Sequence, residues 1–88
     1  MVVELEVTFR RGSPFAAYIH LPHRGRQKSF KTKRVEPGMV IDFNRRGEPI
    51  GVEIITPRGI TLAAVNRVFR ELGLPPLKRA DIAPLLAA

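Results

Sequence analysis

The chain has 88 residues, 44% of them hydrophobic, and no cysteine, so it is expected to form one small domain over 1–88 without disulfide staples or thiolate metal sites. At that length folding removes only about 60 to 65% of the unfolded surface from water, and stability is modest unless association adds to it. Fifteen basic residues against eight acidic ones give a net charge of +7, and the excess is local: Val7 to Val35 holds Arg10, Arg11, Arg24, Arg26, Lys28, Lys31, Lys33 and Arg34 with no carboxylate.

At the N-terminus Val3, Leu5, Val7 and Phe9 alternate with Glu4, Glu6, Thr8 and Arg10, the period of a half-buried strand. Arg11-Gly12-Ser13-Pro14 breaks it. A second strand from Phe15 to Leu21 puts Phe15, Ala17, Ile19 and Leu21 on one face and Ala16, Tyr18 and His20 on the other, and ends at Pro22. After the polar loop His23 to Lys28, a third strand from Ser29 to Val35 is weakly apolar and rich in lysine. Glu36-Pro37-Gly38-Met39 places proline and glycine where a type II turn wants them.

Strands four and five are a hairpin around Asn44-Arg45-Arg46-Gly47, which suits a type I turn closed by a glycine at positive φ. A three-residue loop sets Asn44 opposite Glu48, Asp42 opposite Ile50, Val40 opposite Val52 and Met39 opposite Glu53. One face then carries Val40, Asp42, Ile50, Val52 and Ile54, the other Met39, Ile41, Phe43, Pro49, Glu53 and Ile55. Two largely apolar faces each need a cover, which points to a homodimer with Met39, Ile41, Phe43 and Ile55 as its face. Beyond Pro57-Arg58-Gly59 the period changes. Thr61 can cap a helix whose Leu62, Val65, Val68, Phe69 and Leu72 form one apolar stripe, stopped by Gly73 and Pro75-Pro76. The polar side of that helix holds Asn66, Arg67, Arg70 and Glu71. Asp81 is placed to cap a last short helix carrying Ile82, Leu85 and Leu86, with Pro84 in its first turn.

The segment Val35 to Ile55 resembles the small bacterial proteins of the domain-of-unknown-function 2283 family, whose pattern runs roughly V-x-P-G-V-x-(V/L)-D-(Y/F)-(D/N)-x-x-G-x-(V/I)-x-G-(I/V)-E-(I/V)-L. Val35, Pro37, Gly38, Asp42, Phe43, Asn44, Gly47, Gly51, Val52, Glu53 and Ile54 stand at the matching positions, and Ala16 to Leu21 (AAYIHL) resembles the family's A-L-Y-I-R-L strand. The resemblance implies a binding role of antitoxin type, with a small toxin-like protein as partner, because some members are encoded beside such proteins. It implies no established reaction. This chain departs from the pattern in charge, since the first turn and the third strand, commonly acidic in the family, read Arg10-Arg11-Gly12-Ser13-Pro14-Phe15 and Lys31-Thr32-Lys33-Arg34.

The residue types that carry catalysis are thinly represented. Asp42 and Glu53 would be the natural acid/base pair, but the register above sets them on opposite faces, with Asp42 bonded to nearby backbone or solvent and Glu53 beside a basic neighbour. His20 and His23 flank Pro22 with no further ligand at a metal-site spacing. Ser13 is a turn serine outside any nucleophile elbow, and no glycine-rich loop has phosphate-cradle or dinucleotide spacing. The expectation is a protein that is not an enzyme and uses no metal, cofactor or small-molecule substrate. What remains is the basic strip: Arg24, Arg26 and Lys28 on a loop beside Lys31, Lys33 and Arg34 on a strand, with Tyr18 and Phe30 as stacking surfaces for unpaired bases. Lysines on an exposed edge strand also serve simply to keep sheets from pairing edge to edge.

The sequence thus predicts an α+β fold: a bent antiparallel β-meander of about five strands over 1–56, with a C-terminal helix packed on it and a short terminal helix within 60–88. MVVELEVTFRR is not an apolar block and no apolar run approaches the roughly 18 residues that span a bilayer, so a cytoplasmic protein with no membrane contact is expected. The function expected is that of a protein-interaction module, the alternative a sequence-tolerant nucleic-acid binder working through residues 24–34.

Overall fold

In the computed structural model, which describes residues 2–22 and 28–86, the strands are β1 (Glu4–Arg10), β2 (Ser13–His20), β3 (Lys31–Val35), β4 (Met39–Phe43) and β5 (Pro49–Ile54). They form one five-stranded antiparallel sheet, followed by helix α1 (Leu62–Glu71), a 3-10 turn (Arg79–Ile82) and a short α2 (Ala83–Leu86). The α+β class, the C-terminal helix and the short terminal helix are as the sequence predicts. The order across the sheet is β1-β2-β5-β4-β3, so the run of neighbours breaks once: β5 returns beside β2, and β3 is left at the far edge. Burial explains the order. β2, β4 and β5 each supply residues to the core, whereas Lys31, Thr32, Lys33 and Arg34 are all exposed and lose nothing at an edge.

The β4–β5 turn forms as expected. Gly47, at φ 80, donates its N–H to the Asn44 carbonyl at 3.0 Å, and Asn44 donates to the Glu48 carbonyl at 2.9 Å. The register beyond it does not. Phe43 faces Pro49 but Asp42 faces Gly51, so Ile50 is an extra residue in a bulge. From there Met39 faces Ile54, Val40 faces Glu53 and Ile41 faces Val52. A shift of one residue exchanges the faces. Met39, Ile41, Val52 and Ile54 turn together toward the helices, and Val40, Asp42 and Glu53 share the opposite face, which corrects the expected separation of Asp42 from Glu53.

The sheet packs on a core formed by Ala17 and Ile19 of β2, Leu21 just after it, the four hairpin residues just named, and Val65, Val68 and Phe69 of α1 with Leu77, Ile82 and Leu85 beyond it. Phe69 has no exposed surface, and burying a side chain of that size stabilises the fold by about 3 kcal/mol. Met39 and Ile41, at 0% and 3% exposure, belong to this core. They therefore cannot serve as the face of a dimer; the chain's own helical segment supplies the cover. Of the four residues assigned to that face, Phe43 is half-buried and only Ile55 is exposed.

Helix α1 starts where expected, with the Ala64 N–H donated to Thr61 Oγ1 at 3.1 Å. It stops at Gly73 in a Schellman arrangement, Leu74 N–H to Phe69 O at 2.8 Å and Gly73 N–H to Arg70 O at 3.0 Å, with Gly73 at φ 74. Asp81 caps differently from expectation. It lies inside the 3-10 turn and accepts the Lys78 N–H at 2.7 Å, so the turn begins at Lys78, three residues earlier. Asn66, read from the sequence as part of the solvent side of α1, clamps the segment that follows: its amide donates to Leu77 O at 3.1 Å and accepts from Leu77 N–H at 2.7 Å. No helix among the described residues is long and apolar enough to cross a membrane.

Candidate functional site

β3 is an edge strand with four exposed residues, and it carries Lys31, Lys33 and Arg34 of the predicted basic strip; Lys28 is exposed just before it. Arg24 and Arg26 lie outside the described residues. The β4–β5 turn brings a cation that sequence distance hid: Arg45 lies over the Phe30 ring, 4.9 Å from its centroid. Phe30 is 62% exposed and is anchored through its N–H, donated to Phe43 O at 2.8 Å. Phe30, Lys31, Lys33, Phe43 and Arg45 line one open cleft of about 540 Å³ that no carboxylate lines. Asn44, at 5% exposure, holds the turn in shape, its Oδ1 accepting the N–H groups of Arg46 at 3.0 Å and Glu48 at 2.9 Å. The cleft presents a flat ring and three cations, Arg45 on a stiffened turn and Lys31 and Lys33 on the edge strand, which suits stacking and phosphate contact together.

Tyr18 does not join it. It stands on β2, separated from β3 by β5 and β4, on the face of the sheet away from the helices. There its hydroxyl donates to Asp42 Oδ2 at 2.7 Å, and its ring lies across Gly51, where any Cβ would overlap it. Burial, then the hydrogen bond to the Asp42 carboxylate, then the charges of Asp42 and Glu53 hold the phenol well above its ordinary pKa. Beside it His20 Nε2 is 2.9 Å from Glu6 Oε1, with the Tyr18 and His20 rings 4.7 Å apart. Glu6, Thr8, Tyr18, His20 and Glu53 line a shallow cleft of about 450 Å³.

This second cleft joins His20 to groups far away in sequence, which is what an enzymatic reading needs. Tyr18 is held protonated, with its hydroxyl donated to Asp42, so it can give a proton but not take one. Among the described residues no group of three or more His, Asp or Glu side chains is placed to hold a metal ion.

No protein-family model, curated protein or solved structure matches the chain. The residues of the hairpin pattern can be read directly for their structural roles. Tyr18, Asp42 and Gly51, three positions of that pattern in three different strands, meet at one point: donor, acceptor and the space for the ring. Gly47 and Gly38, the latter at φ 61, close the two turns, and the Glu36–Pro37 bond between β3 and β4 is cis. The pattern residues thus account for how the sheet is built.

Sequence reasoning missed Arg45 as a partner of Phe30, Asn66 as a clamp and Gly51 as a seat for Tyr18. The available signals were an asparagine inside a helix, where it is a poor helix former, and a glycine inside a strand, which marks a close approach.

Proposed function

We propose that this chain is a cytoplasmic binding module whose working surface is the basic, aromatic-bearing edge formed by β3 and the β4–β5 turn, and that it takes single-stranded nucleic acid without strong sequence preference. One observation carries the reading: Arg45 on Phe30, with Lys31 and Lys33 beside them, in a cleft lined by no carboxylate. An exposed ring offers a stacking surface to any base, and the cations meet the backbone phosphates. The open sheet face carries Glu4, Glu6, Asp42 and Glu53, with Arg34 opposite Val40 at its β3 margin, and this excess of carboxylates would repel a polyanion, so nucleic acid is confined to the edge.

The reading in which the partner is a small toxin-like protein rests on the family resemblance. Its structural motive is a hairpin with two uncovered apolar faces; one face is covered from within and the other is polar.

The test is affinity for a fluorescent single-stranded oligonucleotide across a salt series. Log affinity should fall linearly with log salt. Lys31→Glu with Lys33→Glu should weaken binding and flatten the slope by about 0.7 for each phosphate that is no longer neutralised. Phe30→Ala should cost roughly 1–3 kcal/mol at every salt concentration. Binding indifferent to salt and to these changes would remove the reading. Gentle purification from the native host with and without nuclease adds the complementary arm: a stoichiometric small protein that survives nuclease would favour the protein partner.

A further inference from the structure

A second basic corner sits at the other end of the sheet. The β1–β2 hairpin carries Ser13 to Ala16 past the last partner that β2 finds on β5, where Ala17 faces Ile54. Its two-residue turn is Arg11-Gly12, with φ 53 and 80. A register shift after Thr8 leaves Phe15 without a partner on β1, and Phe9 and Phe15 are 55% and 54% exposed. Arg10 lies over the Phe15 ring at 5.1 Å. From the segment after β5 Arg58 comes against this tip, and Arg10, Arg11, Ser13, Phe15 and Arg58 line a concavity of about 840 Å³.

The ion pairs among the described residues are His20–Glu6 and Arg46–Glu48, so Arg10, Arg11 and Arg58 are not ion-paired there, and no carboxylate lines the concavity they share. Three guanidinium groups and a serine hydroxyl lining one concavity are donors of the kind that phosphate oxygens accept from. Arg11 is held at a positive φ that glycine or asparagine adopts with less strain, so the side chain rather than the turn accounts for an arginine there.

The strand order sets the two corners apart. The Phe30–Lys31 cleft is on the β3 edge at the Phe43–Pro49 end, and the arginine corner is on the β1 edge at the Met39–Ile54 end. Between them one sheet face is covered by the helices, and the other carries Glu4, Glu6, Asp42 and Glu53. One polyanion cannot cross that open face from corner to corner without meeting these carboxylates. We propose that Arg10, Arg11 and Arg58 form a second phosphate-binding corner, and that the chain thereby holds two nucleic-acid strands at once. The two-strand clause rests on the reading of the Lys31 edge; the phosphate corner does not.

The experiment has two arms on the intact chain. In the first, inorganic pyrophosphate is titrated while amide signals are followed by NMR. Shifts at Arg10 to Ser13 and at Arg58 are expected, with affinity roughly tenfold weaker in Arg58→Glu and in Arg11→Gly. Because Arg11→Gly relieves the turn, its loss of binding cannot come from misfolding. In the second arm donor- and acceptor-labelled oligonucleotides, too short to span the 37 Å long axis, are mixed with the protein. Energy transfer should appear with the native chain and vanish in Arg58→Glu, while binding of one oligonucleotide persists. Corner signals unmoved by pyrophosphate overturn the proposal, as does energy transfer unchanged in both variants. Pyrophosphate binding at the corner with no oligonucleotide bound at Lys31 overturns the two-strand clause together with the edge reading and leaves the phosphate corner standing.

Discussion

Tyr18 is the chain's single tyrosine, so its ionisation can be followed by absorbance without interference. In the unfolded chain it titrates near the ordinary value of about 10. In the fold burial and the Asp42 carboxylate raise that value, so the protein keeps a proton that the unfolded chain has released. Its contribution to stability is therefore whole below about pH 10 and is lost as pH climbs from there toward the folded value. Absorbance should show no phenolate at pH 10 in the folded protein, and Tyr18→Phe should remove this part of the alkaline loss of stability. The same ring makes Gly51 indispensable. Gly51→Ala forces a Cβ into it and should cost about 2 kcal/mol in urea denaturation. In a Tyr18→Ala background most of that cost should vanish, and a coupling below about 0.5 kcal/mol would mean the two do not interact. A glycine inside a strand signals a close approach at Gly51, but what approaches was not legible, because the meeting joins β2, β4 and β5.

At the scale of elements, α1 was readable because its signals are local. The Thr61 cap, the stripe at Val65, Val68 and Phe69 and the Gly73 stop are each decided within a few residues, and each appears as read. The segment after it was not, since Asp81 folds back on Lys78 and the turn to the terminal helix is fixed from α1 by Asn66. Asn66→Ala leaves the Leu77 N–H and carbonyl without that partner and should cost about 2 kcal/mol. Limited proteolysis should then cut between Pro75 and Lys78 while α1 stays resistant; an unchanged digest would show that Leu77, Ile82 and Leu85 hold the segment by burial alone. The β4–β5 turn was equally legible, yet the register beyond it was wrong by one. A loop fixes the pairing at its own end, and a bulge at Ile50 resets it.

For the whole molecule, the order β1-β2-β5-β4-β3 sorts strands by how much each buries and so sorts charge as well. The lysine strand goes to one edge, the arginine tip to the opposite corner, and the carboxylates to the open face between them. It also sets a gradient of local stability. Amides of Ile19, Ile41 and Val52, in inner strands over the core, should exchange with solvent last. Those from Phe9 to Phe15, where the hairpin has outrun its neighbour, should exchange among the fastest in the sheet. Equal protection along β2 would show that the tip is as firmly held as the strands over the core.

By itself the sequence determined the α+β class, the turns at Gly12 and Gly47, the helix with its cap and stop, the face of β2 bearing Tyr18 and His20, and the concentration of positive charge before Val35. All of these follow from periodicity, turn chemistry and composition, which act over a few residues. Only the tertiary structure decided the strand order, the slip that set Met39 and Ile41 in the core and Asp42 beside Glu53, the meeting of Phe30 with Arg45, and the placing of Arg10, Arg11 and Arg58 around one concavity. Each of those depends on which strand lies next to which, and that choice is made by burial over the whole chain.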